Sequence, residues 1–335
     1  MAKIASKLAK LHLHIENTGE LGPVFEATRK RVREALKNHP ELNSLLCVTV
    51  GYDGDNLEKN LKTANALFCW DIDRKDLSQR APALRWIHVH GAGINHWKPL
   101  DQLPKNIVLT NSRGVHGQRA TEYVMMAILA LNNRLPEMTT NQRQKKWQQC
   151  FSSHLAGKTL LIIGVGNIGS GVARWAKSVS LHVLGIRRTG KPRRWVDEMH
   201  KPNALRKLLP KADFVLVSAP HTKQTNQIIG AKELNLLKQG AGLVNYSRAN
   251  LMDYDALRKK LKQGKLSAVL DVFSPEPLPR NSPLWNTPNL IITPHCSSDD
   301  AEYYTPRTLE LVFENMTRFI AGRPLKNRVS KELEY

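Results

Sequence analysis

Residues 159–171 read Thr159-Leu160-Leu161-Ile162-Ile163-Gly164-Val165-Gly166-Asn167-Ile168-Gly169-Ser170-Gly171. Positions 159–163 form a short apolar run, the pattern of a strand buried on both faces. Gly164, Gly166 and Gly169 follow in G-x-G-x-x-G spacing, and Val172, Ala173, Trp175, Ala176 and Val179 then recur at helical spacing. A strand, a glycine turn and a helix start in this order are what a dinucleotide site requires. Gly164 lets the chain leave the strand sharply. Gly166 lets a pyrophosphate approach the backbone, and Gly169 lets the helix pack close to the sheet. The unpaired N–H groups of the first helical turn, at Asn167 and Ile168, are suited to hold the phosphates.

Around this stretch the 335-residue chain is long enough for two domains. Its 41% apolar content is ordinary for a globular protein. No apolar run reaches the length of a membrane span, and no signal-peptide core is seen near the start. Cys47, Cys69, Cys150 and Cys296 are scattered, without a C-x-x-C pair. This argues against a metal site or a disulfide framework and fits a reducing compartment, with cytoplasm as the first expectation. Lys7-Leu8 and His14-Ile15 loosely match an N-terminal peroxisome-type address, a weaker alternative. The end, Glu332-Leu333-Glu334-Tyr335, carries no S-K-L signal.

The net charge of +21 raises the question of nucleic acid. Basic clusters lie at 29–31, 145–146, 187–188, 191–194 and 258–260, spread along the chain and without a nucleic-acid motif. Solvated basic faces and attraction for an anionic substrate and cofactor explain them better.

Downstream of residue 155 strands are expected at 159–163, 182–186, 213–218, 242–246, 267–271 and 289–293, with helices in the gaps. That is doubly wound α/β order with a parallel sheet. Residues 1–111 read as a smaller α/β unit, with strands at 10–16, 45–50, 66–72, 85–90 and 107–111 and a proline-opened helix over 23–38. A helix over 121–131, stopped or kinked at Pro136, leads into the second domain, expected over 112–296. A last helix from about 306 to 321 would return to the first domain within 297–335. The loop Gly91-Ala92-Gly93 after a strand is a candidate ligand loop, since ligands bind at the carboxyl ends of strands in open parallel sheets.

The second strand of a dinucleotide fold ends in an acid when the ribose hydroxyls are free. Here it ends Ile186-Arg187-Arg188-Thr189, with no acid before Asp197. Two guanidinium groups and a hydroxyl suit a 2′-phosphate, so NADP(H) is expected over NAD(H).

Three later segments carry a resemblance: Val244-Asn245-Tyr246-Ser247-Arg248, Asp271-Val272-Phe273-Ser274-Pro275-Glu276-Pro277-Leu278-Pro279, and Thr293-Pro294-His295. With the glycine stretch they resemble the D-isomer-specific 2-hydroxyacid dehydrogenases, nearest the glyoxylate/hydroxypyruvate reductase branch. The resemblance implies a Rossmann cofactor domain and a smaller flavodoxin-like substrate domain. It implies NAD(P)H-dependent reduction of a small 2-oxo acid to the D-2-hydroxy acid. Arg248 would hold the substrate carboxylate, His295 would be the general acid, and Glu276 would hydrogen-bond His295. Asp271 would meet the nicotinamide carboxamide. Ala219, Pro220, Thr225, Tyr246, Ser247 and His295 would complete the cofactor site, and the N–H groups of Ala92 and Gly93 would bind the substrate carboxylate. The chemistry needs the same types: a planar two-pronged cation for a carboxylate, and a group that exchanges protons near neutral pH for the carbonyl oxygen.

Two positions depart from the family pattern. Ala249 stands where glycine often follows the arginine, and Cys296-Ser297-Ser298 replaces a glycine-rich turn after His295. Trp147 resembles a tryptophan that in some of these reductases reaches the neighbouring subunit, which implies a homodimer through the cofactor domain. A dinucleotide-sensing binding protein, as among the C-terminal-binding corepressors of this fold, is the alternative function.

Overall fold

The computed structural model describes residues 10–332. They form two compact units, residues 10–115 with 300–332, and His116–Asp299. The borders fall beyond Asn111 and Cys296, the ends expected from the sequence, and local bonds explain both shifts. Ser112 N–H donates to the Gly91 carbonyl (3.1 Å) and Asn327 Nδ2 to the Arg113 carbonyl (2.6 Å), which ties residues 112–113 to the first unit. Ser297 is tied to Asp271, inside the second.

The first unit runs β1 (Leu11–Asn17), α1 (Arg29–Leu36), β2 (Leu46–Tyr52), α2 (Leu57–Leu61), β3 (Ala66–Cys69), α3 (Leu77–Arg80), β4 (Trp86–Val89) and β5 (Val108–Asn111). Its sheet has the order β2-β1-β3-β4-β5, every pair parallel. That is the flavodoxin-like order. Side chains alternate across it as the pleat demands. Phe68 and Trp86 enter one apolar layer with Leu13, Ile15 and Val32, while Leu67, Ile87 and Val89 enter the opposite layer with Leu77 and Trp97. The proline-opened helix over 23–38 is not continuous. Pro23–Phe25 is a 3-10 turn, Ala27 N–H donates to Asn17 Oδ1 (2.7 Å), and α1 starts only after Thr28, whose Oγ1 accepts from Arg31 N–H (3.2 Å).

The second unit runs α4 (Gly117–Asn132), α5 (Leu135–Arg143), β6 (Thr159–Ile163), α6 (Asn167–Ser178), β7 (His182–Ile186), β8 (Glu198–His200), α7 (Leu205–Leu208), β9 (Phe214–Val217), α8 (Ala231–Asn235), β10 (Ala241–Asn245), α9 (Tyr254–Lys262), β11 (Leu266–Leu270) and β12 (Leu290–Ile292). Its sheet has the order β12-β11-β10-β9-β6-β7-β8, again parallel throughout. The order reverses at β6, and the crevice for a ligand lies outside the carboxyl ends of β6 and β9. Leu160 and Ile162 face the layer of α4 and α6, and Leu161 and Ile163 face the other. Two expectations fail here. Strand β8 lies at the edge and is short and charged, so it shows no apolar alternation. The link from β11 to β12, residues 271–289, carries no helix, because Pro275, Pro277, Pro279, Pro283 and Pro288 each remove a backbone donor.

The chain ends with α10 (Tyr304–Ile320), which buries Leu309, Val312, Phe313 and Met316 in the layer of the first unit that holds Leu13 and Val32. Gly322, at φ 62°, ends it. Lys7 and Leu8 lie outside the described residues, whereas His14 and Ile15 are fully buried in β1. Leu333, Glu334 and Tyr335 also lie outside them. Among the described residues no helix is long and apolar enough to cross a membrane.

Candidate active site

The glycine stretch takes the conformation its spacing predicts. Gly164 has φ 101°, and a Cβ there would stand 2.4 Å from the Ala219 nitrogen, so only glycine fits where the loops after β6 and β9 touch. A Cβ on Gly169 would meet the Gly164 carbonyl oxygen at 2.7 Å, which holds α6 close to the turn. Gly166 is different. It is exposed, and among the described residues no atom beyond its chain neighbours lies within 4 Å of its Cβ position. Open space in front of the N-terminus of α6, beside Asn167 and Ile168, is the cradle a pyrophosphate needs.

Neighbouring loops converge on this turn. Ser247 Oγ donates to the Ala219 carbonyl (2.5 Å), joining the loops after β9 and β10. Thr225 Oγ1 donates to the Pro220 carbonyl (2.7 Å) and closes the β9 loop on itself. Tyr246 is buried, with its ring 6.4 Å from that of Tyr123. Arg187, Arg188 and Thr189 follow β7, where the Arg187 N–H donates to the His200 carbonyl (3.0 Å). Asp197, the first acid beyond them, is engaged elsewhere. Its carboxylate takes Lys177 Nζ (2.8 Å) and the Val183 N–H (2.8 Å).

Arg248 sits after β10 in extended backbone, φ −148° and ψ 141°. Asn245 Nδ2 donates to its carbonyl (3.0 Å), and its own Nη1 donates to the Ser247 carbonyl (2.6 Å). Burial pulls its pKa down, against the Glu276 carboxylate, which pulls it up. The guanidinium remains charged at any working pH. Ala249 opens a 3-10 turn, Ala249–Leu251, and is not among the residues with positive φ. The alanine therefore brings no strain.

Glu276 and His295 meet. His295 Nδ1 is 2.7 Å from Glu276 Oε2, and Glu276 Oε1 accepts the Phe273 N–H (2.6 Å). A carboxylate only accepts, so Nδ1 carries hydrogen and Nε2 is the end left to exchange a proton. Both side chains are half-exposed, so the pair adds little stability; what it supplies is orientation. His295 itself is left-handed, φ 49°, an uncommon state for a side-chain-bearing residue and one found at functional sites.

Asp271, expected at the nicotinamide carboxamide, is 1% exposed. Thr293 Oγ1 donates to its Oδ1 and Ser297 Oγ to its Oδ2, each at 2.5 Å. The carboxylate thus joins residues on either side of His295. The sequence reading gave no role to Ser297, Tyr123 or His116. The seven-residue spacing of His116 and Tyr123, two turns on one helical face, was the available signal. In the first unit, the loop after β4 is shaped by Asn111 Nδ2 donating to the Ala92 carbonyl (2.8 Å) and by the Ser112 N–H on the Gly91 carbonyl. Gly93 lies in the same turn.

Known proteins share this architecture. A family model described as "D-isomer specific 2-hydroxyacid dehydrogenase, NAD binding domain" matches residues 125–297. The glyoxylate reductase of Thermofilum pendens is 32% identical over 292 residues, covering 83% of this chain and 85% of that protein. A D-isomer specific 2-hydroxyacid dehydrogenase family protein from Aeromonas salmonicida superposes with a TM-score of 0.80 at 32% identity, covering 96% of this chain and all of the other. The NADPH-dependent glyoxylate/hydroxypyruvate reductase of Sinorhizobium meliloti, solved with NADP and sulfate, gives 0.80 at 25% identity, over 97% of this chain and all of that one. The second unit, with its open cradle at Gly166, is a nicotinamide-dinucleotide-binding domain, and the chain belongs to the D-isomer-specific 2-hydroxyacid dehydrogenases, an NAD(P)-dependent oxidoreductase family.

Proposed function

We propose that the protein reduces a small 2-oxo acid of the glyoxylate or hydroxypyruvate kind to the D-2-hydroxy acid, with NADPH preferred over NADH. The observation that carries this reading is the His295–Glu276 pair, whose Nδ1 bond presents Nε2 as the proton-donating end. A reduced nicotinamide, held by the second unit, would supply the hydride for C2. Arg248 holds the substrate carboxylate with a planar, two-pronged cation. His295, protonated, hands its Nε2 proton to the carbonyl oxygen as charge builds there, and then takes a new proton from solvent. Glu276 fixes the ring through its bond to Nδ1. Ala92 and Gly93 offer backbone N–H groups to a carboxylate. The names of the glyoxylate reductases among the relatives support the substrate class.

NADPH preference rests on Arg187 and Arg188 following β7 and on Asp197 being engaged by Lys177 and Val183. A 2′-phosphate then meets cations, and ribose hydroxyls meet no free acid at that strand end. Asn167, Ile168, Thr189, Ala219, Pro220, Thr225, Tyr246 and Ser247 line the rest of the proposed cofactor site. Steady-state turnover with each dinucleotide tests this: a kcat/KM no higher with NADPH than with NADH rejects the preference.

A homodimer through the second unit is the further part of this reading. Trp147 is 98% exposed and Phe151 78%, and Met126, Leu129, Leu135 and Met138 of α4 and α5 are also exposed. Side chains of this size left in water mark an interface. Sedimentation of the protein and of a Trp147→Ala, Phe151→Ser variant tests it. A monomeric wild type rejects the dimer.

A further inference from the structure

The segment 293–298, which carries His295, is gripped on both sides by side chains. On the near side, Thr293 Oγ1 gives its single hydrogen to Asp271 Oδ1. The Tyr123 hydroxyl, 2.7 Å from the same oxygen, must therefore be the donor to it. On the far side, Ser297 gives Asp271 Oδ2 its hydroxyl hydrogen and, at 3.4 Å, its backbone N–H. His116 Nδ1 lies 3.2 Å from the Ser298 carbonyl and, facing an acceptor, donates to it. Tyr123 and His116 belong to one face of α4 and its cap, so one rigid helix reaches both ends of the segment. Between the two grips stands His295 at φ 49°, with its N–H on the Thr293 carbonyl (3.1 Å).

We propose that Tyr123, Thr293, Asp271, Ser297 and His116 form a hydrogen-bonded clamp that holds His295 in its left-handed conformation and so aims its ring. They are positioning residues, acting through His295, and the proposal rests on the reading of His295 as the general acid. A left-handed histidine is not the resting choice of a free loop. Where the family pattern puts a glycine-rich turn, this chain has Cys296-Ser297-Ser298, and it replaces backbone freedom with a bond from a serine hydroxyl and a bond to a serine carbonyl. The clamp and the Glu276 bond fix different degrees of freedom: the clamp sets the backbone at His295, and Glu276 sets the ring.

Threonine 293 separates a hydrogen-bonding role from a packing one. Thr293→Val keeps the shape and loses the hydroxyl; Thr293→Ser keeps the hydroxyl and loses the methyl. With glyoxylate and NADPH, Thr293→Val and Ser297→Ala lower kcat by about tenfold to a hundredfold, the cost of aiming a reacting group wrongly by a fraction of an ångström to one ångström. Thr293→Ser stays within about threefold of wild type, since the bonds that aim the ring survive. NADPH affinity, read by fluorescence titration, holds in all three. Tyr123→Phe, a milder change that removes only the hydroxyl oxygen, loses about threefold to tenfold in kcat, one neutral hydrogen bond's worth. It decides the matter if Thr293→Val melts early. His295→Gln is run beside them. Loss of turnover in His295→Gln with full kcat in Thr293→Val and Tyr123→Phe overturns the clamp alone, as does a Thr293→Ser as slow as Thr293→Val. Full turnover in His295→Gln overturns the reading of the acid.

Discussion

Placing the phosphates at Gly166 can be tested by adding a single methyl group. Gly166 has φ −97° and ψ −151°, backbone that alanine adopts without strain. Among the described residues, no atom beyond its own chain neighbours lies within 4 Å of its Cβ position. Gly166→Ala should therefore fold with a stability within about 0.5 kcal/mol of wild type. The methyl nevertheless occupies the face from which a phosphate reaches the N–H groups of Asn167 and Ile168. Loss of two hydrogen bonds to a charged group, at about 1.5–3 kcal/mol each, amounts to about 3–6 kcal/mol, or roughly a hundredfold to ten-thousandfold in dinucleotide affinity. The contrast is Gly169→Ala, whose Cβ would stand 2.7 Å from the Gly164 carbonyl oxygen. Overpacking of that kind costs about 1–3 kcal/mol of stability. Thermal melts and NADPH fluorescence titrations on the two variants read both quantities. A Gly166→Ala protein that melts normally and binds NADPH normally refutes the placement; one that melts early refutes the open space.

Other perturbations address separate parts of the account. Glu276→Gln keeps shape and removes the charge beside His295, so kcat should fall about tenfold to a hundredfold with NADPH affinity unchanged, and an unaltered kcat removes Glu276 from the mechanism. Replacing Arg187 and Arg188 together by alanine should raise the NADPH KM about tenfold or more and leave the NADH KM nearly alone; equal changes show that they do not read the 2′-phosphate. Burial first, and His90 second, push the His88 imidazole down from its usual 6.5 to about 3. The unfolded chain then takes up a proton that the folded one refuses, so stability is full above pH 6.5 and declines as pH falls from there towards 3. Between pH 7 and pH 5 the loss from this group should be about 2 kcal/mol in urea unfolding, and His88→Gln should abolish that slope.

Much of this was legible in the sequence because the signals are local. The strand, glycine turn and helix at 159–171 are neighbours in sequence, and both ends of β6 and β7 fall where apolar runs place them. The ordered set of Arg248, Glu276 and His295 pointed to the chemistry although these residues are far apart. What stayed hidden depends on contacts across the chain. Proline 23 promised a helix, yet the Asn17 side chain draws the Ala27 N–H away and α1 begins at Arg29. Strand β8 carries Glu198 and His200 at a sheet edge, where no apolar pattern is needed. The clamp joins Tyr123 to Thr293 across 170 positions and Ser297 to Asp271 across 26. Hydroxyl groups at such separations leave no period to read, and only the fold brings them to one carboxylate.

The central claim, that Arg248 and His295 serve reduction of a small 2-oxo acid, is tested most directly by dinucleotide oxidation with glyoxylate, hydroxypyruvate, pyruvate and a bulkier 2-oxo acid, for wild type and Arg248→Ala. The account predicts NADPH-driven turnover of glyoxylate or hydroxypyruvate by the wild type, and its loss in Arg248→Ala with NADPH still bound. Tight dinucleotide binding without turnover of any of these acids, or full turnover in Arg248→Ala, would contradict it.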